Sequence, residues 1–472
     1  MDQSCRSYIE ALAERGEVID LPGAVGLDYE LAAALALWDD GPLIRVATPS
    51  AGRFPVFGNL LNSRQRIAAA IGCEVQALTP RIARAVTTTM TPEPVAQAPC
   101  QEQVLLATDH DDLLSLLPIP RFFERDSGPY LTAGMICAHE PSTGCRNASY
   151  ARIKPLGGNR GLIGIAPNHH LMALARIAGE RGEPLDIAVV IGAHPAIQLA
   201  ACFYLGLGDD ELEHAGDLLG EPVRVVPGRT VDVAIPAEAE LVVEARLHPD
   251  RSHHEGWVNE YHGMYEDYGP GLEVEITAIT HRRDAWFQVI LPGLAAEHAL
   301  LGALPIGAGL VAALRAARID VTDLAVKRAG GGRVDVVAAV RELKPGAARR
   351  GFFACWAAVS MVKQVTLVDP DVDVWDYEHV EWARISRMRW DEDVLVVPGV
   401  VTDRNEPMQS GGVVTKIGMD ATVKPGRRLT GWERALPPAE VLRATAHRFA
   451  PLAERAPFAP AIGVAPLLEE RP

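Results

Sequence analysis

Residues 271–280 read GLEVEITAIT, which is the clearest strand signal in the chain. Apolar residues at the even positions from 272 to 276 alternate with Glu or Thr at the odd positions. This alternation is typical of a β-strand with one buried face and one solvated face. Further strand-like segments begin at about residue 130, and they read LTAGMICAHE, NASYARI, RGLIGIA, LDIAVVIG and ELVVEARL. The sequence therefore predicts a β-rich central region.

Shorter elements flank this central region on both sides. Towards the N-terminus, PLIRVA and FPVFGN are strand-like, and SRQRIAAAIG begins with a serine suited to cap a helix. Residues 295–318 are rich in Ala and Leu and predict a helix, which we expect Pro305 and Gly307 to kink or split. Beyond it, DVTDLAV, RVDVVAAV, the helical GAARRGFFACWAAVSM and QVTLVDPDVDVWD predict a separate α/β unit, followed by a terminal helix in PPAEVLRATAHRF and a loose Pro-rich end.

Size and charge exclude several classes of protein. At 472 residues the chain is long enough for about three structural units. Its net charge of −16 argues against binding to nucleic acid or to anionic lipid, because polyanions are repelled on average. Residues 187–208 carry no charged side chain, but they divide into a strand and a helix better than they form a membrane span.

Cysteine usage and the N-terminal sequence favour a cytoplasmic protein. The seven cysteines are odd in number and scattered, without a C-x-x-C pair, so we expect reduced thiols. The opening MDQSCRSYIEALAERGE has neither the basic nor the apolar region of a signal peptide.

The densest polar cluster is RSHHEGWVNEYH at residues 251–262. Its two carboxylates, Glu255 and Glu260, would lie on opposite sides of an extended chain, whereas a turn at Gly256 would bring them to one cavity. Such a pair can divide its roles, one carboxylate staying ionised beside a cation and the other acting as an acid. A solvated loop between two strands is the alternative, and composition does not decide between them.

Other polar segments are individually ambiguous. Arg152, on a strand before the turn LGGNRGLIG, can bind a carboxylate or phosphate in bidentate fashion, although a plain hairpin explains the glycines equally well. The histidines of PNHH at residues 167–170 stand at the start of a predicted helix, where they can cap it or face a ligand. The acidic residues 209–213 suit another helix N-terminus. Lys416 lies in the apolar run VVTKIGMDAT, where it can either extend its ammonium group to solvent or pair with an anion.

Taken in order, these segments resemble the UbiD-like family of reversible decarboxylases that use prenylated FMN. The likeness extends to PVFGNLLNSRQRIAAAIG, LPGLAAEHALLGALP, LVDPDVDVWDYEHVEWA and TKIGMDAT, and it is colinear over nearly the whole chain. It implies an α/β (α+β) fold with an N-terminal α/β region over 1–115 and a cofactor-binding split β-barrel over 116–295. A linker helix over 296–318 and a C-terminal α/β domain with a terminal helix over 319–472 would follow.

The resemblance also assigns roles to individual residues. The family's Asn-x-x-x-x-Arg and Glu-Gly-x-x-x-Glu motifs imply a catalytic set of Arg152, Glu255 and Glu260, with Glu260 as the proton donor. The implied metal ligands are Asn147, His169 and Glu211, with His170 and Glu213 as alternatives to the last two. Lys416 corresponds to the family's contact with the cofactor phosphate. The implied cofactor-binding residues are Ser149, Tyr150, Ala151, Arg152, Asn168, His169 and Lys416.

The implied reaction is a reversible, non-oxidative decarboxylation through a covalent adduct between the substrate and prenylated FMN. Mn²⁺ or Mg²⁺, with K⁺ beside it, would join the cofactor phosphate to the protein. A flavin prenyltransferase would supply the cofactor, CO₂ would be released, and the enzyme would form a homodimer or a larger assembly. Plain-FMN oxidoreduction and a role as a non-catalytic subunit of a multi-component decarboxylase are the alternatives.

Family analogy also places a wall of the substrate pocket after Glu297. This segment is apolar at Leu304 and Ile306 and has no Arg or Asn for a second polar substituent. We therefore expect a small aromatic acid, with indole-3-carboxylate preferred to pyrrole-2-carboxylate and cinnamate-type acids third. His298 would either bind a ring N–H group or face solvent from a loop.

Overall fold

The computed structural model describes residues 2–424, 426–427, 432, 435–453 and 460–468. The chain divides into two compact units, the first ending at Ala308 and the second beginning at Gly309. Most of the Pro-rich end, which the sequence predicts to be loose, lies outside the described residues. The cysteines are all described, and none of them forms a disulfide.

The first unit contains most of the secondary structure. Its helices are α1 Arg6–Glu14, α2 Glu30–Leu37, α3 Arg64–Ala70, α4 Leu78–Ala85, α5 His170–Glu180, α6 Pro195–Ala200, α7 Glu211–Leu219 and the start of α8 Ala296–Ala316. Its strands are β1 Val18–Val25, β2 Leu43–Pro49, β3 Val56–Gly58, β4 Glu93–Pro94, β5 Gln103–Leu106, β6 Met135–His139, β7 Arg146–Tyr150, β8 Ile153–Pro155, β9 Arg160–Ile163, β10 Leu185–Ile191, β11 Arg224–Pro227, β12 Ala234–Pro236, β13 Leu241–His254, β14 Trp257–Asn259, β15 Tyr265–Asp267, β16 Pro270–His281 and β17 Phe287–Val289.

The central sheet of this unit follows the order β7-β6-β10-β13-β16-β9-β8, and β5 also pairs with β16. Every pairing along it is antiparallel. Pairing among the described strands leaves the path open at β7 and β8, which agrees with the expected split barrel. A four-stranded sheet of order β1-β2-β3-β17 shares one apolar core with the central sheet. The α/β fold class predicted from the sequence is therefore confirmed.

The stretch GLEVEITAIT lies within β16, as the alternation predicts. Val274 and Ile276 are buried in the core, and Glu275 is exposed. Glu273, however, is only 5% exposed, although the pattern predicts a solvated side chain. Its carboxylate is stabilised by a hydrogen bond with His253, Nε2 to Oε2 2.8 Å. Cross-strand pairing thus buries a charge on the face that was expected to be wet.

The two long apolar segments are both explained by burial. Residues 187–208 form β10 and α6, as predicted, and β10 lies between β6 and β13. Among the described residues, α8 is the one helix whose length and mean hydropathy of 1.7 would suit a membrane span, yet two-thirds of that window is buried. Of the expected kink or split at Pro305 and Gly307, the split does not occur, because α8 is one continuous helix through both residues. Proline costs a helix one N–H donor, and the packing around this helix tolerates the loss.

The second unit is the α/β unit predicted after residue 318. Its strands are β18 Asp320–Val326, β19 Asp335–Arg341, β20 Gln364–Val368, β21 Val394–Val401 and β22 Val413–Ala421, and its helices are α9 Ala347–Ala358, α10 Tyr377–Arg387, α11 Ala439–Ala453 and α12 Ala465–Leu468. The sheet order is β18-β19-β20-β22-β21, with parallel pairing at β19/β20 and β20/β22. The predicted succession of strand, strand, helix and strand is confirmed by β18, β19, α9 and β20.

Candidate active site

Arg152 is the centre of the candidate active site, and it binds both predicted catalytic carboxylates. Its Nε and Nη2 donate to Glu255 Oε1 and Oε2 at 2.7 and 3.1 Å, which is a bidentate pair. Its Nη1 donates to Glu260 Oε1 at 3.0 Å. The two carboxylates raise the pKa of Arg152 against the effect of its burial, so the guanidinium stays charged.

A short hairpin brings the two glutamates together. Glu255 ends the link from β13, and Glu260 follows β14, which pairs antiparallel with β15. Gly256 adopts a φ of +89°, a left-handed conformation in which a residue with a side chain would be strained. The turn at Gly256 that the sequence suggested therefore exists, and it directs both carboxylates to the same guanidinium.

The two carboxylates have different surroundings. Glu255 is fully buried and both of its oxygens accept from Arg152, whereas the side chain of Glu260 is 10% exposed. Oε2 of Glu260 accepts no hydrogen bond from the described part of the chain. One carboxylate thus has both oxygens bound by the guanidinium, and the other keeps an oxygen available for proton transfer.

Aromatic rings and a glycine complete the surroundings of Arg152. Its Cζ lies 4.1 Å from the ring centroid of Tyr268 and 6.0 Å from that of Tyr130, distances suited to cation–π contacts. At Gly164, a Cβ atom would overlap Glu255 Oε2 and would lie 2.9 Å from Tyr268 Cε1. Only glycine at this position leaves room for the buried carboxylate.

Asn147 and Glu211, two of the predicted metal ligands, are in direct contact. Asn147 Nδ2 lies 3.1 and 3.2 Å from the two Glu211 oxygens, and the backbone N of Ala148 donates to Oε2 at 2.7 Å. Burial raises the pKa of Glu211 to about 8. Asn147 Oδ1 is buried and has no hydrogen-bond partner among the described residues. A buried carboxylate without a cation and an unpaired amide oxygen fit a hard divalent ion, which prefers oxygen ligands.

The structure separates Glu211 from its competitor Glu213. Glu211 is the first residue of α7. Asp210 caps the N-terminus of this helix, because its side chain accepts a hydrogen bond from Leu212 N at 2.9 Å. Glu213 Oε1 faces Arg146 Nη2 at 3.8 Å, and its side chain is 29% exposed. The geometry therefore favours Glu211 over Glu213 as a ligand.

The predicted histidine ligand serves a different purpose in this conformation. His169 caps α5, its Nδ1 accepting from Leu171 N at 3.3 Å, and burial lowers its pKa to about 4. With Nδ1 accepting, the neutral ring carries its proton on Nε2. Binding a cation at Nε2 would require the proton to move and the long capping bond to break. His170, the alternative ligand, is the first residue of α5 and is half-buried.

The remaining predicted cofactor residues in the first unit lie at two places. Ser149 shares a face of β7 with Asn147, whereas Tyr150 lies on the opposite face. The hydroxyls of Ser149 and Tyr150 are buried and unpaired among the described residues, so both can take a ligand. Ala151 follows directly, and Asn168 is exposed in the turn before α5.

The predicted substrate residues all lie on α8. Leu304 and Ile306 are buried, at 3% and 1% exposure. His298 stands in the first turn of the helix rather than in a loop, and its Nδ1 is 2.9 Å from Gly293 O.

Lys416 lies on β22 of the second unit. Its Nζ donates to Ser360 O at 2.7 Å, and burial lowers its pKa to about 8. A buried lysine with a single hydrogen-bond partner has two further donors available for an anion.

Sequence reasoning did not find several residues that shape this site. Tyr268 and Gly164 contact the catalytic set, and Ser127 and Lys154 bind the main chain of Glu255. For Gly164 the sequence contains a signal in the run GLIGIA, because a glycine inside a strand pattern often marks the close approach of another group.

Three family models match successive parts of the chain. They are the N-terminal domain (residues 9–86), the Rift-related domain (93–295) and the C-terminal domain (299–421) of UbiD, the 3-octaprenyl-4-hydroxybenzoate carboxy-lyase.

Similar proteins cover most of the chain. Anhydromevalonate phosphate decarboxylase of Methanothermobacter thermautotrophicus is 31% identical over 88% of this chain and 96% of its own length. Gallate decarboxylase of Lactiplantibacillus plantarum is 29% identical over 78% of this chain and 81% of its own length. The structure of the UbiD-class enzyme HmfF from Pelotomaculum thermopropionicum in complex with FMN matches with a TM-score of 0.89 and 33% identity, covering 92% of this chain and 98% of that one.

The three family models and the relatives named as decarboxylases identify the class of the protein as a carboxy-lyase. The chain belongs to the UbiD family.

Proposed function

We propose that this protein is a prenylated-FMN-dependent decarboxylase of an aromatic or heteroaromatic carboxylic acid. The observation that carries the proposal is Arg152 bridging a fully buried Glu255 and a partly accessible Glu260. Two structures of HmfF, one in complex with FMN and one, an evolved dimeric form, in complex with prFMN, support the choice of cofactor. The names of the gallate and 3,4-dihydroxybenzoic acid decarboxylases support an aromatic substrate.

In this mechanism the three catalytic side chains have separate tasks. Arg152 is the permanent cation that keeps Glu255 ionised and orients the anionic substrate. Glu260 would give its proton to the carbon that has lost CO₂, because its Oε2 accepts no hydrogen bond from the residues that the structure describes. The hairpin turn at Gly256 fixes both carboxylates beside Arg152, so little reorganisation would accompany proton transfer.

Prenylated FMN, when bound, supplies an electron sink for the pair released by C–C cleavage. Asn147 Oδ1 and the Glu211 carboxylate would hold a divalent cation, Mn²⁺ or Mg²⁺, that joins the cofactor phosphate to the protein. His169 or His170 would provide the nitrogen ligand, and K⁺ would bind beside the divalent ion. Ser149 and Asn168 would contact the cofactor itself.

The substrate proposal rests on the apolar character of α8. Leu304 and Ile306 offer no partner for a second polar substituent, which favours indole-3-carboxylate, then pyrrole-2-carboxylate, then cinnamate-type acids. His298 remains the candidate for a ring N–H group. We also propose that the enzyme is cytoplasmic and forms a homodimer or a larger assembly.

The test is production with and without a flavin prenyltransferase, followed by mass and absorbance of the released cofactor and CO₂ release from a panel of acids. The panel contains the three substrate classes above, gallate, and anhydromevalonate phosphate because two 31% identical relatives bear that name. We expect CO₂ release that depends on the prenyltransferase. Plain FMN with hydride transfer and no CO₂ would identify the oxidoreductase alternative, and no flavin with every acid untouched would favour a non-catalytic subunit.

A further inference from the structure

Lys154 contacts the main chain of the same glutamate whose side chain Arg152 binds. Its Nζ donates to the carbonyl oxygen of Glu255 at 2.6 Å. Lys154 and Arg152 are separated only by Ile153, which is buried. Two cations of one extended segment therefore hold Glu255, one at its carboxylate and the other at its carbonyl.

Ser127 shares this carbonyl with Lys154. Its Oγ also donates to Glu255 O at 2.6 Å and accepts from Lys154 Nζ at 3.0 Å. Both lone pairs of the carbonyl are therefore used. A Cβ atom at Gly128 would lie 3.4 Å from Lys154 Cδ, so the lysine stem passes over a residue without a side chain on its way to the hairpin.

This carbonyl belongs to the peptide at which the chain turns. The next residue, Gly256, has a φ of +89°, and a Cβ there would lie 2.9 Å from Ser127 Cβ. Glu255 N donates to Gly269 O at 2.8 Å, which ties the other side of the residue. With its N–H and its carbonyl oxygen both hydrogen-bonded, the main chain of Glu255 is fixed on both sides of the Cα atom that carries the side chain.

We infer that Lys154 is a positioning residue, which orients the Glu255 carboxylate towards Arg152 by fixing the Glu255 carbonyl. In the described part of the chain it forms no hydrogen bond with Arg152 or Glu260, so it acts through the main chain of Glu255. The catalytic part of this inference rests on the proposed decarboxylase function, whereas the orienting contact is a property of the fold.

The experiment compares Lys154→Met, Lys154→Arg and the control Arg160→Met in the full-length protein loaded with cofactor. Met keeps the length of the stem and removes the donors, whereas Arg keeps the charge and the donors. Arg160 lies in the neighbouring strand β9, and its side chain is half-exposed. We expect Lys154→Met to lower kcat about tenfold with KM within about twofold, because misplaced catalytic groups lose rate rather than affinity. Lys154→Arg should recover most of this loss, and Arg160→Met should behave as wild type.

A double-mutant cycle with Ser127→Ala tests the shared carbonyl. If both donors fix one oxygen, the loss of kcat in the double variant exceeds the product of the two single losses, since each single variant keeps one donor. Independent, multiplicative effects would contradict the shared role.

Hydrogen exchange provides a readout that does not depend on turnover. We expect Lys154→Met to speed exchange of the amides of Glu255 and Tyr268, which close the base of the hairpin, by about fivefold while the rest of the sheet is unchanged. Local exchange and kcat equal to those of Arg160→Met, or uniformly faster exchange across the sheet, would overturn the inference. If the wild type releases CO₂ from no acid, the proposed function fails, and the exchange measurement still decides the role of Lys154.

Discussion

At the scale of single residues, two glutamates on one arginine differ because of burial. Glu255 shares two hydrogen bonds with Arg152 and has no exposed surface, so protonating it would break a bidentate pair. Glu260 shares one hydrogen bond with Arg152, and its side chain is partly exposed to solvent. These contacts support the proposal that Glu260 is the proton donor.

Replacing Glu260 by Gln removes the proton and keeps the shape of the side chain. We expect kcat for CO₂ release to fall by about 10²- to 10⁴-fold, the usual contribution of a positioned acid. Bound cofactor, measured by absorbance, should remain at the wild-type level. Glu275→Gln, at an exposed position on β16, is the matched control and should stay active. Full activity in Glu260→Gln would remove this residue from the mechanism.

Metal binding should distinguish the two glutamates of α7. Mn²⁺ should raise the melting temperature of metal-free protein, because a ligand that binds only the folded state stabilises it. Glu211→Gln and Asn147→Ala should abolish most of the shift, whereas Glu213→Gln should keep it, since Glu213 faces Arg146. Differential scanning fluorimetry measures the three variants. Loss of the shift in Glu213→Gln alone would reverse the assignment.

At the scale of elements, the strand β9 and the residues after it limit the space for the catalytic carboxylate. Gly164→Ala would place a methyl group on Glu255 Oε2, so the carboxylate must leave Arg152. We expect about a 10- to 100-fold loss of kcat, as for other small displacements of catalytic groups. Gly309→Ala in α8, where no atom lies within 4 Å of the added Cβ, is the control and should be neutral. An unchanged kcat in Gly164→Ala would show that the Glu255 carboxylate can move away from the added methyl group and still bind Arg152.

The start of α8 contains a buried acid that links it to the N-terminal region. Glu297 Oε1 accepts from Leu61 N at 2.9 Å, and burial raises its pKa to about 7. The folded state therefore keeps a proton that the unfolded state releases above pH 4.5, and stability falls as the pH rises from 4.5 to 7. The raised pKa of Glu297 corresponds to a loss of roughly 3 kcal/mol in the free energy of unfolding over this pH range.

Glu297→Gln should remove this pH dependence. In urea unfolding, the variant should lose less stability than wild type between pH 5 and pH 8. Glu124→Gln, at an exposed position, should follow wild type. If the free energy of unfolding changes with pH equally in Glu297→Gln and in wild type, Glu297 is ionised in the folded protein.

Elements were more predictable than the contacts between them. The alternation in β16 and the strand–helix division of residues 187–208 depend on local pattern, and both are confirmed. The split expected at Pro305 is wrong, because tertiary packing outweighs the lost helix donor, whereas the alternative of a kink stays a prediction. Tyr268 and Gly164 were missed since they meet Glu255 and Arg152 from distant parts of the chain, and no local pattern records such contacts.

At the scale of the whole molecule, charge affects how the substrate arrives. A chain of net charge −16 repels an anionic acid until the acid reaches Arg152. Raising NaCl from about 20 to 200 mM should lower KM about twofold with kcat unchanged, because salt screens the repulsion. The neutral amide of the same acid, used as a competitive inhibitor, should show a Ki that is independent of salt. A KM that rises with salt would indicate that a local positive field dominates.

The spacing of Arg152 and Lys154 has a consequence for how this sequence can change in length. Neighbouring residues of an extended strand face opposite ways, so inserting or deleting one residue at Ile153 would turn one cation away from Glu255. A length change in the glycine turn at 156–159, by contrast, leaves the spacing between Arg152 and Lys154 unchanged, so both side chains still face Glu255. Descendants of this gene should therefore accumulate insertions after Pro155 and almost none between residues 152 and 154.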